Sequence, residues 1–92
     1  MRRLLVAHRT VMPQRAGDYE MAWRKLHAAV TAAGAHAWRF RHASDAGRYM
    51  EFVEWKGEFD PTTSDEGRAA LHLLDQLGRS STDVWIESEA PT

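Results

Sequence analysis

The 92-residue chain contains no cysteine. That excludes a disulfide framework and thiolate chemistry, and it fits a reducing, cytoplasmic setting. An excess of one charge is also missing: 12 basic and 13 acidic residues are interspersed and leave a net charge of −1. Such a chain lacks the basic footprint of a nucleic-acid binder, so no nucleic-acid partner is expected. Long hydrophobic runs are absent too. No stretch approaches the ~20 apolar residues of a membrane span. The run Leu4-Leu5-Val6-Ala7 stops at His8-Arg9, so no secretory signal is expected, the apolar part being too short. Internal repeats and low-complexity segments are lacking as well.

What is present reads as one small domain over residues 1–92. Hydrophobic residues make up 43 %, enough for a thin core, so oligomerisation would help a chain of this size. Leu4 to Val11 alternates as a first strand and Pro13 ends it. From about Arg15 to Ala33 the period changes: Tyr19, Ala22, Trp23, Leu26, Ala29, Val30 and Ala33 form one helical stripe, and Gly34 stops it. His27 lies on the flank of that stripe and reads as a partly exposed helix residue. Lys56 to Thr62 is a loop by its Gly, Pro and Asp. Thr63 with Glu66 matches a capping box, so a second helix is predicted to start there, with Gly67, Ala70, Leu71, Leu74 and Leu77 buried and Gly78 as its end. Arg79 to Ser81 reads as a loop, Thr82 to Glu87 as the last strand, and Ala90-Pro91-Thr92 as a frayed tail.

Between the helices, Ala35 to Trp55 reads as a hairpin. Ser44-Asp45-Ala46-Gly47 supplies the turn chemistry, and the flanks alternate. A simple loop sets Ala43 opposite Arg48, and therefore His42 opposite Tyr49, Phe40 opposite Glu51, Trp38 opposite Val53 and His36 opposite Trp55. This gathers an aromatic face, with Arg41, Arg39, Met50, Phe52, Ala37 and Glu54 on the other. A slip of one residue would reassign every side chain.

The order β-α-β-β-α-β with right-handed crossovers gives a ferredoxin-like α+β fold: an antiparallel sheet in strand order 4-1-3-2, with both helices on one face. The other face is left open, with Trp85 and part of the hairpin on it. An aromatic patch of that size predicts a partner, a second copy of the chain.

The segments VMPQRAGDYEMAW, Gly34 before the second strand, and GRYMEFVEW together resemble the dimeric α+β barrel superfamily, and within it the small antibiotic biosynthesis monooxygenase-like proteins. The resemblance covers Leu4 to Trp55. It implies two ferredoxin-like protomers packed sheet against sheet, with the third-strand Trp55 in the barrel cavity. It also implies cofactor-independent oxygenation of a small aromatic or polyketide-like molecule, whose own carbanion reduces oxygen. Where active members commonly carry an Asn four residues before that Trp, this chain has Glu51. The haem-degrading branch uses a helix His. His72 is the one candidate here, and it lies opposite the Leu74 and Leu77 stripe, so no haem is expected. Tyr19 and Gly34-Ala35-His36 give a weaker likeness to sugar mutarotases, without the helix His that follows the Tyr.

Within that frame Glu51 is the candidate general base, because a carboxylate enclosed in a barrel loses solvent. The structural alternative is pairing with Arg9, Arg39 or Arg41. Trp55, Trp38, His36, His8 and Tyr49 are the candidate substrate-binding residues, with the aromatic ones forming either a wall for a flat ligand or plain core. No metal site is expected: His36 and His42 stand roughly 20 Å apart along one strand, and the spacing matches no ligand pattern. If the opposite face lined the cavity, Arg39, Arg41 and Glu54 would suit an anionic ligand. The non-catalytic alternative is a binding or structural dimer whose interior is filled by Trp38, Phe40 and Trp85.

Overall fold

A computed structural model describes residues 1–88; the predicted tail at Ala90 to Thr92 lies outside the described residues. Strand β1 (Arg2–Val11) leads through a 3-10 turn (Pro13–Arg15) into helix α1 (Ala16–Ala32). Strands β2 (His36–Arg41) and β3 (Arg48–Lys56) follow. A second 3-10 turn (Pro61–Thr63), helix α2 (Asp65–Asp75) and strand β4 (Gly78–Ile86) complete the chain. The sheet is antiparallel throughout, in the order β2-β3-β1-β4. The fold is therefore the ferredoxin-like α+β arrangement that the element order predicts.

Both helices cover one face. Their apolar stripes meet the odd-numbered residues of β1 and β3. The core holds Leu5, Ala7 and Val11 from β1, Tyr19, Ala22, Trp23, Leu26 and Val30 from α1, Val53 and Trp55 from β3, and Ala70, Leu74 and Leu77 around α2. His27 is exposed, and so is His72, whose ring lies 2.9 Å from the Gln76 amide. The N-cap of α2 is one residue later than the Thr63–Glu66 box predicts. Ser64 Oγ accepts the Gly67 amide at 3.1 Å, and Thr63 closes the preceding 3-10 turn.

Two sequence expectations need correction. Strand β4 starts at Gly78, so Arg79 to Ser81 is strand rather than loop. Its residues are polar because it is an edge strand with every position exposed, so no apolar alternation marks its first half. Gly78 is required by proximity: a Cβ there would run into the Thr10 carbonyl oxygen.

The hairpin register also differs by one residue. Arg41 pairs with Tyr49, Arg39 with Glu51, Ala37 with Val53, and on the other face Phe40 with Met50, Trp38 with Phe52 and His36 with Glu54. The cause lies in the turn. The His42 ring Nδ1 accepts the amides of Ser44 (3.2 Å) and Asp45 (2.9 Å), while the His42 amide donates to the Arg48 carbonyl at 2.8 Å. Ala43 is thereby drawn into the loop, and Gly47 closes it at φ +87°, its carbonyl accepting the Val11 amide at 2.7 Å.

The aromatic face of the sequence reading is thus divided. Tyr49, Glu51, Val53 and Trp55 lie under the helices, and Trp38 and Phe40 lie on the open face. There Trp38 stacks on Phe52 at 5.2 Å and Phe40 meets it edge-on at 5.9 Å.

Candidate functional site

Three polar side chains are buried together beneath α1. Arg9 and Glu51 sit on neighbouring strands as a diagonal pair on one face, two residues out of direct opposition, and each side chain is 1 % exposed. The Arg9 Nε donates to Glu51 Oε1 at 2.7 Å, and the Tyr19 hydroxyl donates to Glu51 Oε2 at 2.7 Å. Of the arginines that sequence offered as partners for Glu51, the structure selects Arg9. Its Nη1 reaches Asp75 at the end of α2 (2.8 Å) and the Ser80 hydroxyl on β4 (2.9 Å), leaving Nη2 buried without a partner. Burial alone would lower the Arg9 pKa, but the Glu51 and Asp75 carboxylates raise it overall. Burial, followed by the Glu51 charge and hydrogen bond, pushes the Tyr19 phenol well above its ordinary value. Tyr19 is therefore a fixed donor. Engaged this way, it is not free to serve the mutarotase-like chemistry that its sequence position resembles.

Arg39 takes a different role. It forms a two-pronged bond with Glu20 (3.0 and 2.8 Å), and its guanidinium carbon stands 5.3–5.5 Å from the ring centroids of Tyr19, Trp23 and Tyr49. Tyr19 and Tyr49 are themselves 4.3 Å apart. The Arg39 cation thus lies among the three rings. The hydrogen bond from Arg39 holds the Glu20 carboxyl below its ordinary pKa.

Two pleats along β3 from Glu51, Trp55 is 6 % exposed and its indole N–H has no acceptor. The residue walls a cleft of about 850 Å³ between the end of the sheet, the Gly34 turn and the loop before α2. His36, Glu54, Phe59 and Pro61 line the same cleft. At its rim Arg2 pairs with Glu87 at 2.7 Å and approaches Glu54 at 3.9 Å.

The structure therefore brings Trp55 and His36 to one cleft around the end of the sheet, Trp55 from the helix-covered face and His36 from the open face, and places Glu51 and Tyr49 in the packed layer under the helices. Trp38 and His8 lie on the open sheet face, on the opposite side from Glu51. Sequence reasoning offered Glu54 only together with Arg39 and Arg41, on the face opposite His36, and it missed Phe59, which lies in a loop with no period. Among the described residues no cluster of three potential ligands gathers for a metal ion, and no helix is long and apolar enough to cross a membrane.

Fold and sheet topology define a ferredoxin-like α+β protein. Solved structures narrow the comparison. A conserved protein from Methanosarcina mazei superposes with a TM-score of 0.82 at 15 % identity, covering 96 % of this chain and 94 % of that one. SnoaB, a cofactor-independent oxygenase from Streptomyces nogalater, gives 0.78 at 14 % identity over 97 % and 95 %. A putative antibiotic biosynthesis monooxygenase from Caulobacter crescentus gives 0.74 at 21 % identity over 96 % and 91 %. No protein-family model and no curated protein matches the chain significantly. What these structures share with this chain is the fold.

Proposed function

We propose that this protein is a cofactor-independent, monooxygenase-like enzyme that binds a small aromatic or polyketide-like molecule in the cleft beside Trp55. The observation that carries the reading is Trp55 itself, a buried indole N–H without an acceptor on the wall of a ligand-sized cleft. Buried donors are nearly always satisfied. A planar ligand stacked near the indole, with a carbonyl or hydroxyl oxygen toward Nε1, supplies the acceptor. The chemistry is the conversion of a CH₂ flanked by electron-rich rings into a carbonyl. A base removes a proton, the carbanion reduces O₂, one oxygen atom stays as C=O and the other leaves as water. The substrate is the reductant. In this reading Glu51 fixes Arg9 and Tyr19, since both of its oxygens are taken, and the base is His36, which faces Glu54 across β2 and β3 in the cleft.

The working unit we propose is a cytoplasmic homodimer closed through the open sheet face. Phe40 (61 % exposed) and Trp85 (59 %) stand there with Trp38, Met50 and Phe52, too much aromatic surface for a solitary sheet.

The enclosed Arg9–Glu51–Tyr19 network favours a second reading, a dimer that binds the same ligand without chemistry. Titration with a tricyclic phenolic ketone in an oxygen-electrode cell separates the two. The enzyme reading expects binding plus uptake of one O₂ per ligand, with His36→Gln lowering the rate by about 10²-fold or more and leaving affinity intact. Binding without uptake selects the second reading. No binding by the wild type, or binding indifferent to Trp55→Phe, removes both.

A further inference from the structure

At the end of the sheet nearest the hairpin turn lies a second depression, of about 500 Å³, lined by His8, Thr10, Arg48, Arg79 and Ser81, with Arg9, Tyr49 and Ser80 also on its wall. The register explains its composition. Thr10 on the central β1 is flanked by Arg48 of β3 and Arg79 of β4, and His8 by Ser81 in the next row. Alternation puts these side chains on one face, while the Arg9 guanidinium between them is engaged with Glu51 and Asp75 on the other. No carboxylate lines the depression. Arg48 has only a long 3.4 Å contact with Asp45, both side chains more than half exposed, and Arg79 forms no ion pair among the described residues. Asp83 is four residues along β4, about 13 Å by strand rise. Two guanidinium groups thus flank one hydroxyl, with an imidazole and a second hydroxyl behind, and like charges so placed repel unless something negative lies between them.

We propose that this depression is an oxyanion site, taking the phosphate or carboxylate group of a small molecule. Planar guanidinium groups bind both groups through paired N–H donors, and the Thr10 and Ser81 hydroxyls add further donors. The site is at the end of the strands, so an anion enters from the barrel end even when a second copy covers the aromatic band. It does not depend on the Trp55 cleft, which lies at the opposite end of the sheet.

The test is an amide and arginine Nε NMR titration with inorganic phosphate, and separately with benzoate, at constant ionic strength set by sodium chloride. Saturable shifts confined to Thr10, Arg48, Arg79 and Ser81 are expected, weakened at least 10-fold in Arg79→Gln and abolished in Arg48→Gln/Arg79→Gln. Phosphate saturating without benzoate assigns a phosphate group, and the reverse a carboxylate. Both variants change exposed side chains, and circular dichroism checks that they fold. Linear shifts, shifts matched by chloride, or saturation unchanged in the double variant would overturn the proposal. So would variants that alter only self-association, measured by sedimentation of the same samples, because the two arginines would then be dimer contacts and nothing more.

Discussion

The two faces of this one sheet handle charge in opposite ways. On the face beneath the helices, Arg9 and Glu51 are almost wholly enclosed, and both oxygens of Glu51 and two of the three nitrogens of Arg9 have partners drawn from α1, α2, β3 and β4. On the open face, Arg48 and Arg79 stand beside a band of exposed aromatic side chains with little to balance them. The difference follows from solvent. An enclosed charge must be matched within the chain, because leaving it unmatched costs several kcal/mol. An open face tolerates unmatched groups until a ligand or a partner arrives. Matched groups therefore hold the fold here, and the unmatched ones on the open face are where the proposed partner and anion would bind.

Breaking the enclosed network gives the largest effect. Glu51→Ala leaves the Arg9 guanidinium buried without its main counter-charge and is expected to cost about 3–5 kcal/mol. Urea unfolding measures this directly, and Arg9→Met/Glu51→Leu should recover much of the loss. A Glu51→Ala loss below about 1 kcal/mol would mean the pair is solvated and the contrast between the faces is wrong. Tyr19→Phe removes only the hydroxyl donated to Glu51 and should cost about 1.5–3 kcal/mol, as hydrogen bonds to charged groups do.

Smaller effects sharpen the other side of the comparison. The Glu20–Arg39 pair is partly exposed, so its contribution stays within about 1 kcal/mol. Its sign is fixed by the lowered Glu20 pKa. The stabilisation is fully present above the ordinary glutamate pKa and is lost as pH falls through the lower folded-state value. Glu20→Gln should flatten that acidic limb in a pH series of melting curves. Smallest of all in protomer stability is Phe40→Asp, within about 0.5 kcal/mol as an exposed substitution. The same change should convert the proposed dimer to protomers in sedimentation, and a dimer that survives it is not closed through this face.

Much of the architecture was legible because period and punctuation agree. The helical stripe from Tyr19 to Val30 and the glycines at its end and at the hairpin leave little choice of element order. The register was not legible, since it depends on the imidazole of His42 accepting two turn amides, a side-chain contact invisible to spacing. That one-residue difference moved Trp38 away from Glu51 and Trp55. The first half of β4 was not legible either, because an exposed edge strand carries no apolar signal. For the site, sequence singled out Glu51, Trp55 and His36 and offered Arg9 as a partner. It could not show that Tyr19 from the helix would occupy the second oxygen of Glu51, or that Arg39 would lie among three rings.

The central position of β1 has a consequence for synthesis. Its neighbours are residues 48–56 on one side and 78–86 on the other. The first strand of this domain in chain order is therefore the last to be flanked on both sides. Until β4 has been added, a growing chain carries an unpaired β1 edge that includes Leu4 and Val6, and Arg9 lacks its Ser80 partner. Long-range closure of this kind is slow and leaves edges open to wrong pairing. The ladder between β1 and β4 is thus the longest-range closure in the sheet, and it can form only after every other element has been made.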